Sequence, residues 1–104
     1  MKKPFALNPG GCTLRDEVSA LEHIPNVGPA TAADLRRLGI RHPGDLKGRD
    51  AYEMYDRLCG LDGKRHDPCV IDVFLAAVDY MNGGPPTRWW KFTAQRKRRM
   101  AGDV

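Results

Sequence analysis

The residues best suited to chemistry in this chain form a short turn, Pro25-Asn26-Val27-Gly28-Pro29-Ala30-Thr31, whose backbone is itself the binding surface. Gly28 has no side chain to crowd a ligand, and the helix predicted to follow it presents unpaired amides at the positive end of its dipole. Such amides hold phosphate. Ala30 and Thr31 donate, Pro29 has no N–H to give, and Asn26 and Val27 shape the turn, since asparagine tolerates a positive φ. A second, more degenerate candidate is Leu46-Lys47-Gly48-Arg49-Asp50, in which Lys47 and Arg49 supply the positive charge that the first turn lacks. A third is the run Arg96-Lys97-Arg98-Arg99, read either as an electrostatic grip on phosphate or as a solvated tail.

Other chemistry is harder to assemble. Cys59, His66 and Cys69, with Cys12 as a fourth donor, invite a zinc site, but no Cys-x2-Cys pair exists and the spacing fits no common zinc module. The expectation is that the cysteines are small buried hydrophobes and that neither a metal nor another cofactor is bound. A Cys59 to Cys69 disulfide is the weaker alternative. His23 and His42 sit at helix ends, Asp56 and Asp72 are single carboxylates, and no Ser/His/Asp or paired-acid arrangement is visible, so no enzyme activity is expected.

Charge points to the partner. Of 104 residues, 17 are Lys or Arg and 13 are Asp or Glu, for a net charge of +4. From Arg88 onward there are six bases against the single acid Asp103, so the body before Arg88 is nearly neutral and the end of the chain makes the protein basic. An anionic partner engaged by a tail is the expectation. Three cysteines and no secretory leader suggest a reducing cytoplasm, and no apolar run reaches the ~18 residues of a membrane span.

These residues need elements to position them, and the periodicity predicts an all-α fold of five helices. Residues 1–12 read as a flexible arm, 13–92 as one domain and 93–104 as a basic tail, helical only when bound. Thr13 and Asp16 resemble a capping box, and Leu14, Val18 and Leu21 make one face of a first helix that Pro25 stops. A second helix runs from Pro29 through Leu38 to Gly39, after which Ile40 re-enters the core. His42-Pro43-Gly44 begins a short third helix through Leu46. Asp50 caps a fourth, with Tyr55, Leu58 and Met54 or Ala51 facing inward. Asp67-Pro68 opens the fifth, whose Val70, Ile71, Phe74, Leu75, Ala77, Val78 and Met81 make a wide apolar stripe lying across the other helices. Asn82-Gly83-Gly84-Pro85-Pro86 ends it. At least two of Trp89, Trp90 and Phe92 are expected to pack back on the body, and the tryptophan pair reads as core rather than as a platform for bases.

The stretch Leu21 to Ile40 resembles the helix-hairpin-helix motif: an apolar residue, proline, a tight turn, then a helix with small residues and a closing Leu38-Gly39-Ile40. Ile40 to Leu58 resembles a degenerate second copy, and tandem copies imply amide turns set across a minor groove. Asn26 stands where the motif has its first glycine. Ala30 stands where phosphate-binding relatives carry Lys or Arg, and where base-excision glycosylases carry a nucleophilic Lys; that chemistry is therefore missing. Residues 14 to 92 are similar to the small bacterial pathogenicity-locus family, often labelled mitomycin-resistance proteins, and to the C-terminal domain of TfoX-type competence regulators. Ile24-Pro25-Asn26-Val27-Gly28, Asp45-Leu46-Lys47-Gly48, Tyr55-Asp56-Arg57-Leu58-Cys59, Asp67-Pro68-Cys69-Val70 and Trp89-Trp90 carry that resemblance. It implies a loose link to DNA damage or virulence loci.

Together these readings point to an accessory module that holds DNA backbone without sequence preference, through amides near Gly28 and Gly48 and through the basic tail. The alternative is a protein-interaction domain that touches no nucleic acid. Neither a membrane nor a small-molecule substrate is expected.

Overall fold

A computed structural model describes residues 20–101. The expected arm, the capping box at Thr13, most of the first helix, and Cys12 lie outside these residues. Among the described residues the chain is all-α, with four α-helices and three short 3-10 segments. The helices are α1 (Pro29–Arg37), α2 (Ala51–Asp62), α3 (Cys69–Met81) and α4 (Thr93–Met100); the 3-10 segments are Leu21–His23, Pro43–Leu46 and Trp89–Phe92. The expected third helix is thus a 3-10 turn, and the expected tail contains a helix of its own. No helix among the described residues is long and apolar enough to cross a membrane.

Local chemistry sets the boundaries. Pro29 fixes the first φ of α1, and Gly39 takes φ +87° after its end, so that the Ile40 amide donates back to the Leu35 carbonyl at 3.0 Å. Ile40 is fully buried as a result. The Asp50 carboxylate caps α2 by accepting from the amides of Tyr52 (2.9 Å) and Glu53 (3.4 Å). That of Asp67 accepts from the Cys69 amide at the start of α3 (2.9 Å).

The centre of the fold is α3. It packs against α2, α4, the 3-10 turn Pro43–Leu46 and the segment Trp89–Phe92. Its Ile71, Phe74, Ala77, Val78 and Met81 are buried with Leu35, Leu46, Met54, Tyr55 and Leu58 in a single core. Asp72 interrupts that stripe and is itself wholly buried. A lone carboxylate there would be prohibitive, and α4 supplies what it needs. Arg96 donates to it through Nε (3.0 Å) and Nη2 (3.3 Å), and Thr93 through Oγ1 (2.7 Å). Arg96 is therefore buried, the reverse of the surface role its sequence neighbours suggest. Arg99 adds a second hold, its guanidinium 4.3 Å from the centre of the Tyr52 ring.

On the far side, Asp62 at the end of α2 joins two elements. Its carboxylate accepts from Arg37 of α1 and contacts the His66 ring at 2.6 Å. Arg37 first, then His66, holds the Asp62 carboxyl down at about 2.

Two outcomes are expected. Arg96→Ala strands a buried carboxylate and should cost about 3 kcal/mol in urea unfolding, whereas the double change Asp72→Leu with Arg96→Met should recover most of it. Asp62 has a folded pKa below its unfolded value, so its contribution is complete above about pH 4 and disappears as pH falls toward about 2. The stability gap between the protein and Asp62→Asn should close over that window in acid titrations of unfolding, and a gap independent of pH would contradict the assignment.

Candidate nucleic-acid interface

Two turns of the chain share one backbone design. In the first, Asn26 adopts φ +73°, the Val27 amide donates to the Ile24 carbonyl (3.0 Å), and the Ala32 amide donates to the Gly28 carbonyl (2.9 Å) to start α1. In the second, Gly48 adopts φ +75°, the Arg49 amide donates to Leu46 (3.1 Å), and the Met54 amide donates to Asp50 (3.0 Å) to start α2. Each turn follows a 3-10 segment. Ile24 and Leu46, the matching apolar residues, are both buried.

They differ in what their amides meet. Gly28 is the N-cap of α1 and contributes no side chain, so the amides of Gly28, Ala30 and Thr31 meet no acceptor among the described residues. Gly28, Pro29 and Ala30 are exposed and Thr31 is half-buried, while the side chain of Val27 is anchored in the core. No Cβ contact would arise at Gly28, so its value here is the missing cap rather than the space. An anion reaching this turn meets open N–H donors at a positive helix end.

The second turn meets acceptors of its own chain, beginning at Gly48. Its N–H donates to Asn82 Oδ1 at 2.9 Å, and the amides corresponding to those of Ala30 and Thr31 are taken by the Asp50 carboxylate. That carboxylate would repel a phosphate. Lys47 remains exposed, and Arg49 is half-buried and paired with Glu53 at 3.8 Å.

Asn26 ties the open turn to the segment after α3. Its Nδ2 donates to the Thr87 carbonyl (2.6 Å) and its Oδ1 accepts from the Trp89 amide (3.3 Å). Between the two walls lies a groove of about 580 Å³, bounded on one side by Glu22 to Gly28 and on the other by Pro86 to Arg88. Glu22 is neutralised by two hydrogen bonds from Arg36 (3.0 and 3.2 Å), which hold its carboxyl below its ordinary value. The groove therefore carries little net negative charge.

Of the basic run, Lys97 and Arg98 are exposed, Arg99 is exposed but stacked on Tyr52, and Arg96 is withdrawn into the core. The sulfur-rich cluster does not gather. Cys59 Sγ accepts from the His66 amide (3.4 Å), Cys69 Sγ lies 4.0 Å from Arg96 Nη2, and the two thiols are free rather than joined. Burial pushes the Cys69 thiol up, and Asp67 beside it acts in the same direction. No group of three His, Cys, Asp or Glu side chains converges among the described residues. Asn82 and Asp72 are the residues that sequence reasoning missed. The first closes a turn and the second receives a base.

Residues 14–98 match the family Cdd1, described as pathogenicity locus, and the chain belongs to that family. It is similar to the mitomycin resistance protein McrB of Streptomyces lavendulae, with 40% identity over 85 residues that cover 82% of this chain and 81% of that protein. No solved structure matches it. The family stretch includes both turns and both members of the buried ion pair, and so runs past Phe92, beyond the residues 14 to 92 of the resemblance.

The tie made by Asn26 is testable by substitution. Asn26→Gly keeps the positive φ and loses both hydrogen bonds, for an expected cost of about 1 to 2 kcal/mol; Asn26→Ala loses the bonds and adds backbone strain of about 1 kcal/mol more. Denaturant unfolding should rank the wild type above Asn26→Gly and that above Asn26→Ala. Equal stability of all three would mean that the tie carries no load.

Proposed function

We propose that this protein is a DNA-binding accessory module that holds phosphate backbone without sequence preference and without catalysing a reaction. Phosphate sits at the amides of Gly28, Ala30 and Thr31, and the cations of Lys97 and Arg98 add attraction, with Lys47 contributing from the neighbouring turn. The observation that supports this most is the contrast between the two turns: the same backbone is self-capped by Asp50 in one and left open by Gly28 in the other. An Asp N-cap is worth only a few tenths of a kcal/mol over a Gly one, so the contrast lies in the donors themselves: Gly28 leaves open those that Asp50 fills. Under this reading Leu21 to Arg37 is the typical helix-hairpin-helix copy, and Pro43 to Asp62 is the degenerate one, retained for packing. Ala30 offers no amine for a covalent intermediate, consistent with binding alone. The Streptomyces lavendulae relative is named for mitomycin resistance, and as part of this proposal we place the present protein in damage resistance, within the cytoplasm.

A charge series at one exposed position tests it. Ala30→Asp should leave α1 as stable or about 0.5 kcal/mol more so, because an acid favours the positive end of a helix, yet lower DNA affinity at least tenfold. Ala30→Lys should act oppositely on both quantities. Lys97→Ala with Arg98→Ala should flatten the slope of log K against log salt by up to about 1.8, since each phosphate neutralised contributes about 0.9. Binding that ignores both changes at position 30 would remove the turn from the interface, and the protein-interaction reading would then replace this one.

A further inference from the structure

The sequence suggests that Trp89 and Trp90 share a core role, but the structure separates them. Trp89 is half-buried and its amide is held by Asn26, while Trp90 leaves 54% of its surface in solvent. The rings meet edge to face, 5.6 Å between centroids at 84°, so Trp89 braces its neighbour. Arg88 lies over the Trp90 ring at 5.6 Å and also forms part of the groove wall opposite Gly28. The Arg88 carbonyl accepts from the Lys91 amide at 3.0 Å, which closes the tight turn beneath the ring. Arg88 thus stands both on the groove wall and over the exposed indole.

The charges suit an anionic strand. Glu22, the acid on the groove wall, is occupied by Arg36, whereas Arg88 and Lys91 have no acidic partner among the described residues. A duplex offers this surface its phosphates alone, because its bases are already stacked and paired. An unpaired strand offers phosphates and free base faces together, and every base has a face that an indole can stack upon. We propose that Trp90, braced by Trp89 and flanked by Arg88, is a stacking platform for an unpaired base, so that this surface prefers single-stranded nucleic acid to duplex. The proposal rests on the phosphate-holding reading of the Gly28 turn and adds the form of nucleic acid that the turn receives.

The test is a set of titrations of the full chain with oligo(dT), oligo(rU) and a duplex of equal length, followed by fluorescence anisotropy. Wild type, Trp90→Ala, Trp90→Phe and Ala30→Asp are compared, with melting curves to show that each is folded. Either single strand should bind more tightly than duplex, and the stronger of the two identifies the source as DNA or RNA. Trp90→Ala should lower single-strand affinity about tenfold while leaving duplex affinity unchanged, and Trp90→Phe should restore most of the loss. Ala30→Asp should weaken all three. Equal wild-type affinity for strand and duplex, or an equal loss in both from Trp90→Ala, would overturn the platform while leaving the backbone-binding reading intact. If nothing binds, both fall.

Discussion

The arrangement of the candidate interface depends on one side-chain amide. Asn26 occupies a left-handed backbone position that only a few residue types tolerate, and it spends both ends of its side chain on the segment that follows α3. A glycine would supply the φ and nothing more. The two bonds reach across 61 and 63 residues of sequence, so they fix how far the turn stands from Pro86 to Arg88 and thus the width of the groove. One of them also holds the amide of Trp89, the first residue of its 3-10 turn. Asparagine here is therefore a structural gain over glycine, because one residue both makes the turn and anchors it.

The two matching turns show how stability and an open binding surface compete for the same atoms. Asp50 satisfies the first amides of α2 and, in doing so, removes them from any ligand. Gly28 leaves those of α1 unsatisfied, and α1 is held instead by Pro29, by buried Ala32 and Leu35, and by Arg37 reaching Asp62. Asn82 occupies a further donor of the second turn, at Gly48. Both turns keep the geometry, and they differ in how many of their donors the chain itself occupies.

Much of this was legible in the sequence because it is local. Caps at Asp50 and Asp67, the stop at Gly39 and the apolar stripe along α3 follow from residues a few positions apart. The closure of the second turn was legible too: once Asp50 is taken as a cap, its amides are no longer available to phosphate. What escaped was the long-range pairing. Arg96 sits in a run of four bases that look alike, and its partner is 24 residues away on another helix. A signal did exist in Asp72, an acid within the most apolar stripe of the chain, since a buried carboxylate requires a donor. Thr93 and Arg96, one helical turn apart, form the matching face. The split of the tryptophan pair has no such signal, because two adjacent residues of one type differ only in what the distant body places beside each.

The buried ion pair also decides where the protein keeps its positive charge. Arg36, Arg37, Arg49 and Arg57 each have an acidic partner on the surface, so their field is largely cancelled. Among the exposed bases without such a partner, Arg88, Lys91, Lys97 and Arg98 are clustered in one stretch, which runs along Trp89–Phe92 into α4. That stretch is held to the body by Asp72, through Arg96 and Thr93, and by Asn26 at its start. Without the pair these cations would ride on a free segment, and their attraction to an anion would be spread over every position it samples. With it, Arg88 stands on the groove wall and the other three follow at fixed places along the segment into α4. Arg96 thus gives up its own charge to the core and in exchange fixes the location of its neighbours, which is how a residue largely withdrawn from solvent shapes the electrostatics of the surface.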